Sequence, residues 1–308
     1  MIECAETRGK QKDAASDSAR LAPLRTLIET KSGRTLPLPP KLARLYGRLR
    51  MPLPGACPHV FSNFVTTLDG VVSLDIKGHA SGGDISGFSA QDRMVMGLIR
   101  AIADVVIIGT GTLSADRRHV WTAPAIFPAL ADEYRQLSEA LGQQGPPLNV
   151  IVSGSGRVDL RLPVFTSGKV PVLIITTSAG AKRLRGQSKS APVEIHAIRG
   201  RGSPTAIPAS AILDSVCRAQ PRKRILVEGG PRLLGAFYAE QLVDEQFLTL
   251  APQIAGRDAG DRRLSLVMGK AFAPGDAPWG SMIDARRGNS HLFLRYSFRR
   301  SSPEQRVR

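Results

Sequence analysis

The chain is poor in cysteine, in aromatic residues and in acid, and it has no long apolar run. Its three cysteines, Cys4, Cys57 and Cys217, are widely spaced and odd in number, which argues against a disulfide framework or a cysteine-built zinc cluster. The five histidines, His59, His79, His119, His196 and His291, show no i, i+4 pair and no H-E-x-x-H, so no metal is expected. No stretch of 18 apolar residues occurs, and the opening MIECAETRGKQKDAASDSAR mixes acids with bases and lacks an apolar h-region. Neither a membrane span nor a signal peptide is expected, and the chain is placed in the cytoplasm. The aromatic share of 5% leaves few surfaces on which nucleic-acid bases stack. That weighs against a nucleic-acid binder despite a net charge of +16, because the basic residues fall in separate segments: AKRLRGQSK, RGRGSP, QPRKR and the tail RRSSPEQRVR. A positive surface attracts phosphorylated small molecules as well.

What is present is a globular composition. With 308 residues, 42% of them hydrophobic, the chain suffices for one large α/β domain or two smaller ones. Residues 1–55 carry two proline-rich patches with little periodicity and read as an N-terminal extension, a partly disordered leader followed by an extended arm. Residues 56–308 read as one domain with a basic C-terminal tail. Apolar runs at HVFSNFVTT, DVVIIGT, LNVIVS, VPVLIITT, VEIHAI, RILVE, EQFLTLAPQI and HLFLRYSF alternate with helical patterns, which implies a mostly parallel sheet covered on both faces. The best helix begins at SAQDRMVMGLIRAIAD, where Ser89 and Asp92 resemble a capping box and Val95, Leu98, Ile99 and Ile102 share a face. The final run alternates, as a C-terminal antiparallel strand at or near an edge should.

Two glycine turns carry the chemistry. In RILVEGGPRLLGAFYAEQLVDE a buried-type strand meets Glu228, Gly229, Gly230 and Pro231 before a helical pattern. Such a turn is either a tight connection or a phosphate cradle at a helix N-terminus, and the carboxylate sits where open α/β sheets bind ligands. In VVIIGTGTLSAD, Gly109, Thr110, Gly111 and Thr112 offer N–H groups and hydroxyls at another strand end. The dinucleotide pattern G-x-G-x-x-G is absent, so a Rossmann-type dehydrogenase is an alternative rather than the first reading. A third element, SNFVTTLDGVVSL, places Asp69-Gly70 as a hairpin turn, with Thr66 and Thr67 before it.

With these pieces in this order, the chain resembles the reductase domain of riboflavin biosynthesis, the C-terminal domain of the bifunctional deaminase-reductase RibD. The matching stretches are NFVTTLDGVVS, ISGFSAQDRMVMGLIRAIADVVIIGTGTLSAD, NVIVSGSGR and ILVEGGPRLLGAFYAEQLVDEQFLTLAPQIAG, spread over roughly residues 58–300. The resemblance implies a dihydrofolate-reductase-like fold, a homodimer, and NADPH-dependent reduction at the ribosyl C1′ of a phosphorylated aminopyrimidine. The H-x-E and P-C-x-x-C of the zinc deaminase half are absent from this sequence. The resemblance assigns cofactor contacts to Thr66, Thr112, Asp116, Ser153 and the run from Gly230, taking in Pro231, Arg232 and Leu233, with Gly109 and Gly229 in the adjoining turns. It assigns substrate contacts to Arg100 and Glu228. Arg100 suits a bidentate phosphate contact, though it also reads as a solvated charge on the helix. No catalytic proton donor is assigned. One departure stands out: where the family continues Ala-Asp with Asp and Pro, this chain has Arg117, Arg118, His119 and, further on, Trp121, the last read first as a packing residue.

Overall fold

The apolar runs become strands of a ten-stranded sheet: β1 Arg25–Glu29, β2 His59–Thr66, β3 Val105–Gly109, β4 Leu148–Ser153, β5 Val172–Thr177, β6 Glu194–Ile198, β7 Arg224–Val227, β8 Glu245–Leu250, β9 Ser281–Gly288 and β10 His291–Ser297. The structure, a computed structural model, describes residues 21–52, 55, 57–186, 193–199, 206–219, 224–260 and 263–298. Cys4, the expected leader and the tail RRSSPEQRVR lie outside the described residues, as do most of RGRGSP and QPRKR.

The strands lie in the order β1-β9-β10-β8-β2-β7-β3-β4-β5-β6. From β8 to β6 all neighbours pair in parallel, whereas β10, β9 and β1 add in antiparallel fashion. Strand β7 inserts between β2 and β3, which is not the Rossmann order. Strand β10 is antiparallel, as its alternation predicts, and lies third from the sheet's end because β9 and β1 add outside it.

Continuous apolar runs serve both faces. Val105 and Ile107 of β3 pack in one cluster with Ile212, Val216, Leu234 and Phe237, whereas Val106 and Ile108 pack in the other with Leu98 and Ile102. The first cluster is covered by two helices, Ala209–Ala219 and Pro231–Ala239, and the second by helix Ala90–Ile102. The latter starts where expected, with Ser89 Oγ accepting from the Asp92 N–H at 3.3 Å, and its Leu98, Ile99 and Ile102 are fully buried. Burying each such side chain contributes roughly 1.5–3 kcal/mol.

The proline-rich segment holds more regular structure than an extended arm. Helix Pro40–Tyr46 hides in it because Pro40 occupies the first helical position, where no N–H is needed. Leu42, Leu45 and Leu49 are fully buried in the cluster that contains Leu98. Arg286 ties this segment to β9: its guanidinium donates to Tyr46 O and Arg48 O at 2.7 Å and lies over the Tyr46 ring, 4.3 Å from its centroid. Asp284 neutralises it at 2.7 Å, as a buried cation requires. Among the described residues no helix is long and apolar enough to cross a membrane, and no cluster of His, Cys, Asp and Glu is fit to hold a metal.

Candidate active site

Strands β2, β3 and β7 end at one cleft of about 370 Å³, and the parallel arrangement brings their carboxyl ends to the same edge. On the cleft lie both residues expected to touch substrate, and they touch each other. Arg100 Nε stands 3.0 Å from both Oε1 and Oε2 of Glu228, and Nη2 stands 2.8 Å from Oε2. Their side chains are 3% and 5% exposed, so Arg100 is no solvated helix charge. Its fork is committed to Glu228 rather than left open for a phosphate. A pair desolvated to this degree survives only with good geometry and further hydrogen bonds, which the third nitrogen supplies. Arg100 Nη1 lies 2.6 Å from His119 Nε2 and donates to Thr122 O at 3.3 Å.

Because a guanidinium only donates, His119 Nε2 accepts, and the ring proton belongs on Nδ1, which faces Asp116 Oδ2 at 3.7 Å. Burial and then the Arg100 charge push the His119 pKa down to about 3, so the ring is neutral. Burial raises the Asp116 carboxyl, and the Arg100 charge opposes that shift. Trp121 is 2% exposed and packs edge-on against His119 with centroids 5.2 Å apart; it both fills the core and lines the cleft. Of the unusual loop, His119 and Trp121 reach the cleft, whereas Arg117 turns to Asp159 at 2.7 Å.

The two glycine turns meet. The Gly230 N–H donates to Thr112 Oγ1 at 2.9 Å, so the loop after β7 is pinned to the helix Thr110–Ala115 that follows β3. Gly230 has φ 53°, a left-handed region that disfavours side chains, and a Cβ on Gly229 would fall 2.1 Å from Ile108 Cα. Tight connection therefore explains both glycines, and the Gly230 N–H is not free for an anion. A Cβ at Gly109 or Gly111 would meet no atom within 4 Å. Backbone there faces open space, and Ser153 Oγ, at the end of β4, is buried without a hydrogen-bond partner. These features fit an extended cofactor along the strand ends.

The other expected residues divide. Thr112, Asp116, Gly230 and Pro231 line the cleft with Arg100 and Glu228. Thr66 does not, since its hydroxyl turns to Thr67 O at 3.1 Å. Arg232 is exposed, and Leu233 packs against the apolar cluster of its helix. Asp69 lies in a turn, but not in the expected hairpin, since the following strand Val71–Ser73 pairs with Leu264–Ser265; the Thr67 hydroxyl and the Ala255 and Gly256 N–H groups, the latter two at 3.1 and 2.7 Å, donate to its carboxylate and hold its pKa down to about 2. The sequence reading missed further cleft-lining residues: Asn63, Gly82, Gly83, Ser86, Phe88, Asp92 and Met96. Their signal was present in SGGD, where Ser81 N–H and Oγ donate to Asp84 Oδ2 and start the helix Gly82–Ser86. Asp92 is buried there with a raised pKa.

Residues 58–268 match the RibD C-terminal domain family. The 2,5-diamino-6-ribosylamino-4(3H)-pyrimidinone 5′-phosphate reductase of Archaeoglobus fulgidus is 27% identical over 203 residues, 66% of this chain and 84% of that protein. The riboflavin biosynthesis protein RibD of Chlamydia muridarum is 29% identical over 199 residues, 65% of this chain but 47% of its own length. A solved structure, a pyrimidine reductase-like protein of Corynebacterium diphtheriae, superposes with a TM-score of 0.61 at 19% identity, covering 79% of this chain and 93% of that chain.

Proposed function

The chain belongs to the RibD C-terminal domain family, and on that premise we propose that it is an NADPH-dependent reductase of a ribosylaminopyrimidine 5′-phosphate, acting as a homodimer. The observation that carries this reading is the cleft itself, which a buried Arg100–Glu228 pair lines together with residues of two glycine turns at the carboxyl ends of parallel strands. The nicotinamide, when bound, would supply a hydride to the ribosyl C1′, whose bond to the ring oxygen breaks while that oxygen takes a proton, leaving a ribityl carbon. Gly109, Gly111 and Thr112 offer the backbone surface that would hold it, with Ser153 further along the strand ends. Glu228 keeps lone pairs beyond those taken by Arg100, and these accept from amino and ring N–H groups of a pyrimidine. Arg100 holds that carboxylate in place through its paired hydrogen bonds. His119 and Asp116 complete the polar corner.

The test is cofactor oxidation with the diaminopyrimidinone phosphate named for the archaeal relative, run beside its deaminated counterpart and a panel of other carbonyl compounds. Oxidation with one of the two pyrimidines and not with the panel is expected. Oxidation with the panel alone refutes the assignment.

A further inference from the structure

We infer that Phe88 is a stacking platform that selects a planar pyrimidine ring in the cleft, an inference resting on the reductase reading above. Phe88 is 64% exposed and lines the cleft. Its φ is 55°, a left-handed backbone that is a true outlier for a bulky residue. Burial does not offset that strain, because most of the ring faces the cleft and solvent. A glycine would adopt the same backbone freely, so folding alone gives no reason for an aromatic here.

The local geometry fixes the ring. The helix Gly82–Ser86 ends on Gly87 at φ 61°, and the Phe88 N–H donates back to Gly83 O at 2.8 Å. Two left-handed residues in succession fold the ring over Gly83, where a Cβ would come 2.8 Å from Phe88 Cε1. One side of the ring thus rests on a glycine backbone, and the remainder is presented to the cleft. A flat, pinned, exposed aromatic offers a π-face to a flat ligand. The same cleft supplies Glu228 and Asn63, an acceptor pair and an amide for exocyclic amino groups and ring nitrogens. Stacking area plus amino-group acceptors describe an aminopyrimidine. The glycine turns proposed for the cofactor belong to the ends of β3 and β7, whereas Phe88 belongs to the segment leading into helix Ala90–Ile102.

The experiment compares wild type with Phe88→Gly, Phe88→Ala and Phe88→Tyr. Calorimetric binding of the diaminopyrimidinone phosphate, KM and kcat, NADPH affinity, Tm and oligomeric state are measured for each. Phe88→Gly should weaken pyrimidine binding and raise KM roughly tenfold to hundredfold, the usual loss when a base-stacking aromatic is removed. Its kcat and NADPH affinity should stay near wild type and its Tm should not fall, because strain is relieved. Phe88→Ala should lose pyrimidine binding comparably, and Phe88→Tyr should retain it. Unchanged pyrimidine affinity in Phe88→Gly overturns the inference, as does a loss of NADPH affinity or a change confined to oligomeric state. If wild type binds the pyrimidine without oxidising the cofactor, the reductase reading fails while the binding comparison still decides the role of Phe88. If wild type does not bind it, both fall.

Discussion

Arg100 Nη1 lies 2.6 Å from His119 Nε2, a distance that requires the imidazole to be neutral. An unfolded histidine titrates near 6.5 and this one near 3, so across that window the unfolded chain binds more protons than the folded one. Stability from this site is complete above the unfolded value and is lost as pH falls toward the folded one. His119→Gln keeps an acceptor for Arg100 and removes the titration. Urea unfolding between about pH 7 and about pH 4 should therefore show wild type losing on the order of 2 to 3 kcal/mol more than the variant. Equal losses would mean that His119 is not held neutral.

The pairing of Arg100 with Glu228 changes what single substitutions report. Arg100→Ala leaves a buried carboxylate without its partner and should cost roughly 3 to 5 kcal/mol, visible as a lower Tm, in addition to lost turnover. The double variant Arg100→Met, Glu228→Leu removes both charges and should recover most of that stability, with no turnover. A double variant as unstable as Arg100→Ala would show that the damage comes from packing rather than from an orphaned charge.

Gly229 and Gly230 should respond differently to alanine. At Gly230 the added methyl meets only Thr112 Oγ1, at 3.8 Å, so the penalty is backbone strain of about 1 kcal/mol. At Gly229 it falls 2.4 Å from Gly109 N, and β3 and β7 must separate to admit it. Gly229→Ala should be destabilised by roughly 3 kcal/mol or more, the range of severe overpacking. Thermal melts of the two variants side by side check the ranking.

NADPH should bind at least about tenfold more tightly than NADH, since one charge-assisted hydrogen bond to the extra phosphate contributes about 1.5–3 kcal/mol. Arg117 is engaged with Asp159, and the preference is assigned to an arginine beside the end of β4. Arg183 lies there, its guanidinium donating to Ser155 O. Arg183→Ala should narrow the ratio of the two dissociation constants measured by titration, and an unchanged ratio places the phosphate elsewhere.

The sequence by itself determined the elements and their punctuation. Continuous runs such as VVII and ILV must be strands buried on both faces, Ser89 must cap a helix, and glycines must turn the chain after β3 and β7, because periodicity, capping and φ preference are properties of neighbouring residues. Through the family resemblance it also pointed to Arg100 and Glu228, which the structure brings to one cleft. Proline 40 misled in the other direction, hiding a helix behind composition. What the tertiary structure alone decided is who meets whom. Arg100 and Glu228 are 128 residues apart, and only the insertion of β7 beside β3 brings their side chains to 2.8 Å, so that a presumed phosphate ligand becomes the partner of a carboxylate. The same holds for the Gly230 N–H, satisfied by Thr112 from a different strand end, and for Phe88, whose exposure and left-handed φ emerge from the turn onto Gly83. Local pattern sets backbone conformation through interactions a few residues long, whereas ion pairing, burial and cleft shape depend on distances between strands that no stretch of sequence contains.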